Sequence, residues 1–205
     1  CGKYMKKAAF ELGGNDPFVV LKEADLELAV NMGYASRMAN NGQACINAKR
    51  FIIEDSVYDE FKDRLITKIR DTTVIGDPMD PAVNLGPIAM ERQKTKLISQ
   101  IKSAVANDGA TIALGSTDFN VSDSNLSGGN YVEPMVLENI KVNSPSWSEE
   151  FFGPTFNLWR GSSEEHCLEL ANNSEYGLSA AVFTENEERL RYAARNMRNG
   201  AVFCN

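Results

Sequence analysis

Histidine and paired cysteines are scarce in this sequence. Its single histidine is His166, and its four cysteines stand apart at positions 1, 45, 167 and 204, without a Cys-x-x-Cys pair. A zinc site built from Cys and His needs three or four such ligands at close spacing, so we expect no metal site. Scattered, unpaired cysteines are typical of the reduced thiols of cytoplasmic proteins, and we therefore predict a cytoplasmic location.

Long apolar runs and an excess of positive charge are also missing. No apolar stretch approaches the roughly 20 residues that a membrane-spanning helix requires. The 28 acidic residues outnumber the 21 basic ones, giving a net charge of −7, which disfavours nucleic acids and anionic membranes as partners. Neither glycine-rich phosphate-binding pattern, GxGxxG or GxxxxGK[ST], occurs. These absences disfavour nucleic acids, membranes and a glycine-rich phosphate-binding loop.

The length and composition predict a single globular domain. The chain has 205 residues, of which 43% are hydrophobic and 24% charged, which suffices for one sizeable core. It opens on Cys1 without a methionine and closes on the apolar run 201–204. We therefore expect both ends to continue in a longer protein.

Apolar runs alternate with helical patterns along the chain. Asp25 is placed to cap a helix that runs to about Met38, and Asp55 with Ser56 to cap a second. That second helix carries an apolar stripe at every fourth position, from Val57 to Ile69. A third helix is predicted over 89–107. Strands alternating with helices of this length predict a three-layer α/β fold, with a largely parallel, twisted sheet and helices on both faces.

Cys45 is the candidate nucleophile. The polar, turn-prone run Asn40-Asn41-Gly42-Gln43 precedes it, and Lys49 and Arg50 follow. Positive charge and backbone N–H groups favour the thiolate, which is the reactive form of cysteine. The alternative is a buried, inert cysteine that packs as a small hydrophobic residue.

Carboxylates near glycines are the candidate bases. Glu11 stands before the pair Gly13-Gly14, and paired glycines allow close approach of the backbone to a ligand or another segment. The alternative is a surface carboxylate. Glu149 and Glu150 precede Phe151-Phe152-Gly153-Pro154 and are either a solvated pair or part of a shaped platform. His166 would have to approach Cys45 in a Cys/His hydrolase, but its acidic neighbours predict a solvent-facing side chain.

Three segments together resemble the signatures of the NAD(P)-dependent aldehyde dehydrogenases. They are Glu11 to Pro17, Asn41-Gly42-Gln43-Ala44-Cys45, and Glu150-Phe151-Phe152-Gly153-Pro154, in the family's order and with similar spacing. The resemblance implies that Cys45 is the catalytic thiol, that its backbone N–H forms half of the oxyanion site, and that Glu11 is the general base. A thiohemiacetal and then a thioester on Cys45 would follow, with partial burial of Glu11 expected to favour its role in hydrolysis.

The resemblance also implies a dinucleotide cofactor, NAD or NADP. Glu150 and Phe152 match positions that contact the nicotinamide ribose and ring, while Gln93 and Lys96 align with positions that touch the cofactor ribose. Members of the family are roughly twice as long as this chain. Their amino-terminal half carries the cofactor-binding domain and an Asn of the oxyanion site, and a carboxy-terminal segment forms the oligomer sheet.

Residues 1–205 therefore resemble the catalytic domain alone. We expect this domain to fold but to have little or no dehydrogenase activity by itself, and the full-length protein to be a homo-oligomer.

Among substrates, the resemblance favours succinic semialdehyde. The run Gly13-Gly14-Asn15-Asp16-Pro17-Phe18 and the segments 48–53 and 174–179 look most like succinic-semialdehyde dehydrogenases. A carboxylate-bearing aldehyde needs a cation in its pocket. Many such enzymes place Arg where this chain has Ala39, with Arg37 two residues away. Some carry a second cysteine two positions after the nucleophile, where this chain has Asn47, so a local disulfide switch is not expected.

Two other functions fit Cys45. One is a thiol acyltransferase or hydrolase that works without nicotinamide. The other is a non-catalytic α/β interaction domain in which Cys45 is buried. The register of the three segments favours the dehydrogenase.

Overall fold

Seven strands form one sheet in the computed structural model, which describes all 205 residues. The strands are β1 (Asp16–Val20), β2 (Ala48–Glu54), β3 (Thr111–Leu114), β4 (Met135–Glu138), β5 (Thr155–Gly161), β6 (Ser179–Phe183) and β7 (Ala201–Cys204). The helices are α1 (Leu26–Met38), α2 (Asp55–Thr72), α3 (Glu91–Asn107), α4 (Pro145–Ser148), α5 (Glu164–Asn172) and α6 (Glu187–Asn196). Short 3₁₀ segments cover Gly2–Tyr4, Ala39–Gly42 and Ser124–Leu126. None of the helices combines the length and hydrophobicity needed to cross a membrane.

The strand order is β3-β4-β5-β2-β1-β6-β7. Five of the six neighbouring pairs are parallel, and only β3 and β4 are antiparallel. Parallel neighbours need crossover connections, which the helices supply. The predicted largely parallel α/β fold is confirmed.

Helices cover both faces of the sheet. In β1, Val19 points into one core while Phe18 and Val20 point into the other, because successive side chains of a strand alternate between faces. Helices α1 and α2 pack on the face of Phe18, whereas α3, α5 and α6 pack on the face of Val19. Both faces are buried, which explains why the central strands read as continuous apolar runs rather than alternating ones.

The predicted helix caps are half right. Asp25 caps α1, since its Oδ1 accepts a hydrogen bond of 3.0 Å from the amide of Leu28. The cap predicted at Asp55 and Ser56 is wrong, because α2 already begins at Asp55 and the preceding residue, Glu54, makes no side-chain cap. The carboxylate of Glu54 is occupied elsewhere, by Arg189 at 2.6 Å.

The third predicted helix begins later than expected. It starts at Glu91 instead of residue 89, because the backbone of Met90 is extended (φ −142°, ψ 143°). The amide of Ala89 donates to the side-chain oxygen of Gln43 at 2.9 Å. That hydrogen bond ties the start of α3 to the segment that carries Cys45.

The segments that carry the candidate site residues meet at the end of the sheet where β1, β2 and β5 begin. These three strands are adjacent and parallel, so the segments that lead into them lie side by side. Glu150, Cys45 and Glu11 lie on these three segments. The topology therefore brings together residues that are far apart in the sequence.

Candidate active site

One cleft contains all six residues predicted from the sequence as site residues. It has a volume of about 580 Å³ and lies where α3 meets the segments that lead into β1, β2 and β5. Its lining consists of Glu11, Leu12, Gly13, Gln43, Ala44, Cys45, Gln93, Lys96, Leu97, Gln100, Glu150 and Phe152. The candidate nucleophile, base and cofactor-contacting residues therefore share one open cavity.

An unusual backbone run leads from α1 to Cys45. Asn40, Asn41 and Gly42 have φ angles of 52°, 57° and 75°. Asparagine and glycine are the residues that adopt this left-handed conformation most readily. Gly42 also lies against the backbone of Gly153, where a Cβ atom would overlap the carbonyl group. This contact joins the Cys45 segment to the one that contains Phe152.

A turn presents the thiol of Cys45 to the cleft. The amide of Asn47 donates to the carbonyl of Ala44 at 3.2 Å, and the Asn47 side chain accepts from the Ala44 amide at 2.6 Å. Cys45 lies within this turn and is half-buried, and its own amide donates no hydrogen bond within the chain. The expectation of a buried Cys45, which the alternative of an inert cysteine required, is wrong; the buried cysteine is Cys167.

Lys49 lies beneath this turn, and the sequence did not indicate its contacts. Its ammonium donates to the carbonyls of Ala44 and Cys45, at 2.9 Å each, and to that of Asn47 at 3.2 Å. It also pairs with Oε1 of Glu150 at 3.2 Å. Burial lowers the pKa of Lys49 to about 8. Its positive charge thus lies against the backbone of the thiol-bearing turn.

Arg50 does not take part in the site. Its guanidinium donates to the carbonyls of Asn15, Leu170 and Ala171 at 2.8 to 2.9 Å and lies over the ring of Trp147. The expectation that Arg50 favours the Cys45 thiolate is therefore wrong. A residue next to Lys49 in a strand points to the opposite face of the sheet.

The glycine pair makes the close approach that the sequence predicts. A Cβ on Gly14 would overlap the carbonyl oxygen of Cys45, and one on Gly13 would lie 2.6 Å from Oε2 of Glu150. The backbone before β1 therefore packs directly on the Cys45 turn. Glu11, two residues before Gly13, lines the cleft but is exposed, so the partial burial expected of it is not found.

Glu149 is exposed, as expected of a solvated carboxylate, whereas Glu150 is half-buried. Oε1 of Glu150 accepts from Lys49 and from the amide of Gly14, both at 3.2 Å. Oε2 of Glu149 accepts from the side-chain amide of Gln100 at 2.7 Å, and the same amide donates to the Glu150 carbonyl at 3.2 Å. The sequence analysis did not identify Gln100 as a residue of the site. The feature that indicates it is a polar side chain on the buried face of α3, next to Ile101.

The cleft offers suitable groups to a ribose and a flat ring. Oε1 of Gln93 is buried without a hydrogen-bond partner, which leaves an acceptor for a hydroxyl group. Oε2 of Glu150 accepts no hydrogen bond within the chain, and Phe152 contributes a half-buried aromatic ring. Lys96 is exposed at the rim. These donors and acceptors fit the ribose and nicotinamide of a dinucleotide.

Arg37 is not available as a pocket cation. Its side chain is fully buried and donates to the carbonyl of Thr155 at 2.8 Å and to those of Phe151 and Gly153. It thereby holds the segment that enters β5. Any cation that binds a substrate carboxylate must therefore be another residue.

His166 lies away from the cleft. It is half-buried in α5, where Nδ1 accepts from the amide of Ser162 at 3.1 Å, and it is not among the residues that line the cleft. A Cys45–His166 hydrolase site is therefore not formed. No group of three His, Cys, Asp or Glu side chains is arranged to hold a metal ion.

Comparison with known proteins shows the family to which the chain belongs. The sequence profile of the aldehyde dehydrogenase family matches residues 1–205. Succinate semialdehyde dehydrogenase Sad of Escherichia coli is 41% identical over 204 residues, covering all of this chain and 42% of the relative. Benzaldehyde dehydrogenase YfmT of Bacillus subtilis is 36% identical, with 99% and 40% covered.

A solved structure shows the same architecture. The crystal structure of betaine aldehyde dehydrogenase from Staphylococcus aureus in complex with NAD+ superimposes with a TM-score of 0.88 at 31% identity. The match covers 95% of this chain and 38% of that one. The chain thus spans about two fifths of the length of the relatives it matches.

Proposed function

This chain belongs to the aldehyde dehydrogenase family, and we propose that residues 1–205 are the thiol-bearing catalytic domain of an enzyme that oxidises an aldehyde to a carboxylic acid with NAD or NADP. The observation that carries the proposal is the convergence of Cys45, Glu11, Glu150 and Phe152 on one cleft. The separate family segments meet there because three parallel strands begin at the same edge. We further propose a cytoplasmic location, which the four free cysteines support.

The first step is nucleophilic attack by Cys45. The thiolate sulfur forms a bond to the aldehyde carbon, and the carbonyl oxygen takes up the electron pair of the broken π bond. The Cys45 amide, which has no partner within the chain, donates a hydrogen bond to this oxyanion. Preorganised donors of this kind contribute on the order of 3 kcal/mol to the stabilisation of a transition state.

The second half of the reaction uses Glu11. The nicotinamide cofactor, when bound, supplies the two-electron oxidation that leaves an acyl group on sulfur. Glu11 then accepts a proton from a water molecule whose oxygen attacks the thioester carbon. The C–S bond breaks, the acid is released, and Cys45 leaves as the thiolate. The exposed Glu11 side chain at the cleft is accessible to water.

Glu150, Phe152, Gln93 and Lys96 are proposed to hold the cofactor. The unpaired Oε1 of Gln93 and the free Oε2 of Glu150 would accept hydrogen bonds from ribose hydroxyl groups. The ring of Phe152 would limit the position of the nicotinamide. We propose that most of the dinucleotide is bound by a part of the full-length protein outside these residues.

Succinic semialdehyde is the proposed substrate. The support is the 41% identity with Sad, whose name specifies this substrate and NAD(P)+. The benzaldehyde dehydrogenase at 36% identity makes neutral aldehydes the alternative. Because Arg37 is fully buried and donates to backbone carbonyls, we propose that another residue supplies the cation for the substrate carboxylate.

We also propose that the full-length protein is a homo-oligomer. The support is the family resemblance, which implies a carboxy-terminal segment that forms the oligomer sheet. Light scattering of the full-length protein tests this, and a monomeric mass would contradict it.

The test of function uses the full-length protein. We would follow reduced nicotinamide with succinic semialdehyde and with neutral aldehydes, using Cys45→Ala as the inactive variant and Cys204→Ala, which removes an exposed free thiol, as the matched control. Turnover strongest with succinic semialdehyde, and lost only in Cys45→Ala, supports the proposal. Activity on neutral aldehydes alone would change the substrate. Inactivity with a reactive Cys45 would favour acyl transfer without nicotinamide.

Two further measurements address Glu11 and the isolated domain. In Glu11→Gln, a rapid first turnover followed by a slow steady state is expected, because thioester hydrolysis loses its base. We expect residues 1–205 alone to fold but to reduce little or no cofactor. Measurable cofactor reduction by a preparation of this chain that is free of the full-length protein would contradict that expectation.

A further inference from the structure

The contacts of Lys49 all belong to the candidate site. Its three carbonyl acceptors are the residues that form the Cys45 turn, and its remaining partner is Glu150. The side chain of Lys49 is 0% exposed, and that of Glu150 is 16% exposed. A buried lysine needs such partners, because an unpaired buried charge is strongly destabilising.

The ion pair between Lys49 and Glu150 fixes one carboxylate oxygen of Glu150 and leaves the other free. Lys49 and the amide of Gly14 both donate to Oε1, while no donor within the chain reaches Oε2. Two donors therefore hold Oε1 of the Glu150 carboxylate, while Oε2 is available to a ligand in the cleft. Gly14 in turn lies against the carbonyl of Cys45, so the same few atoms connect the thiol-bearing turn to the carboxylate.

We propose that Lys49 is a positioning residue, which sets Glu150 relative to the Cys45 turn so that the carboxylate can receive the cofactor ribose. This inference rests on the proposed dehydrogenase function. Lys49 touches neither the proposed substrate nor the cofactor, and it acts through Glu150. Misplacement of a binding group by about 1 Å can reduce a rate by about 100-fold.

The ion pair between Lys49 and Glu150 depends on pH. Lys49 faces Arg37 from α1, Asp16 from β1 and Glu150 from the segment before β5. Burial and then the charge of Arg37 lower the pKa of Lys49 to about 8, while Glu150 and Asp16 oppose this shift. Lys49 therefore loses its charge, and the ion pair with Glu150, as the pH rises through about 8.

The test compares variants of the full-length protein. Lys49→Met removes the charge, Glu150→Gln removes its partner, and the double variant combines them. Lys62→Met is the matched control, since Lys62 also pairs with a glutamate, Glu138, at 3.3 Å but does not line the cleft. The readouts are the Kd of NAD+ or NADP+ by calorimetry, the alkylation rate of Cys45 by iodoacetamide, and the KM and kcat with aldehyde.

We expect Lys49→Met to raise the cofactor Kd about tenfold, a loss of about 1.4 kcal/mol, and Lys62→Met to leave it unchanged. If Lys49 acts through Glu150, the double variant should bind no more weakly than Glu150→Gln alone. A rise of the cofactor Kd above pH 8 should be present in the wild type and absent in Lys49→Met.

Three outcomes would overturn the inference. They are an unchanged Kd in a folded Lys49→Met protein, fully additive effects in the double variant, and the same pH profile in both proteins. If Lys49→Met does not fold, Lys49→Gln keeps a donor to the carbonyls without the charge and carries the same expectations. A wild-type protein that binds no nicotinamide cofactor would overturn both the inference and the proposed function, whereas an active wild type with an unaffected variant would overturn the inference alone.

Discussion

The amide nitrogen of Gly14 lies 3.2 Å from Oε1 of Glu150. This hydrogen bond joins the segment before β1 to the segment before β5, although β2 lies between these strands in the sheet. The Cys45 turn, which leads into β2, fills the space between them and contacts both. The site is therefore built from three chain segments whose mutual packing depends on the absence of a side chain at Gly14.

Gly14→Ala should disrupt this packing. The added Cβ would overlap the carbonyl oxygen of Cys45, which is backbone and must move as a unit. Overpacking of this kind costs about 1 to 3 kcal/mol. We expect a lower melting temperature and a change in the alkylation rate of Cys45. Gly2→Ala, whose Cβ would meet nothing within 4 Å, is the control and should change neither.

Cys45 should be alkylated far faster than Cys167. Cys45 is half-buried at the cleft, whereas Cys167 is fully buried and its burial raises the pKa of its thiol to about 12. Only the thiolate reacts, so Cys167 should stay unmodified in the native protein near neutral pH. Peptide mapping after iodoacetamide treatment distinguishes the four cysteines. Equal labelling of Cys45 and Cys167 under native conditions would contradict this prediction.

The fold was predictable because its signals are local. Parallel strands buried on both faces appear as apolar runs, and the stripe of α2 has the period of a helix. The Asp25 cap could be identified from its residue type. The predicted cap at Asp55 failed because α2 begins one residue earlier than expected, so that Asp55 lies inside the helix and Glu54 takes the cap position. The carboxylate of Glu54 pairs with Arg189, from the far end of the chain, instead of capping the helix.

The sequence indicated residues that line the cleft, but not the contacts that support them. Cys45, Glu11, Glu150 and Phe152 belong to segments whose pattern resembles a family, and the structure places them around one cleft. The supporting contacts were not predictable, because they join distant segments. Lys49 and Arg50 are adjacent in the sequence and equally charged, yet the pleat of β2 sends one toward the Cys45 turn and the other toward α5.

The stability of the protein should depend on pH through Lys49. Its pKa is about 8 when folded, against an ordinary value of 10.5. Between these values the unfolded chain binds the proton and the folded protein does not, so the free energy of unfolding rises with pH. The gain reaches about 3 kcal/mol as an upper bound. In Lys49→Met this contribution is absent.

Chemical denaturation of both proteins from pH 7 to pH 10.5 measures the difference. The wild type should gain stability relative to Lys49→Met as the pH rises above 8, and the two curves should run parallel below it. Curves that stay parallel over the whole range would show that Lys49 keeps its ordinary pKa in the folded protein.

Arg37→Met separates a structural role from substrate binding. The buried guanidinium donates to the carbonyls of Phe151, Gly153 and Thr155. The Gly153 carbonyl keeps the amide of Thr155 as a donor, but the carbonyls of Phe151 and Thr155 lose this partner, at a cost of about 1 to 3 kcal/mol each. We expect a large fall in melting temperature, with any remaining activity reduced equally for charged and neutral aldehydes. Arg64→Met, which removes an exposed arginine paired with Glu60, should leave both unchanged. If Arg37 instead bound a substrate carboxylate, the variant would keep its stability, and its KM would rise for succinic semialdehyde but not for benzaldehyde.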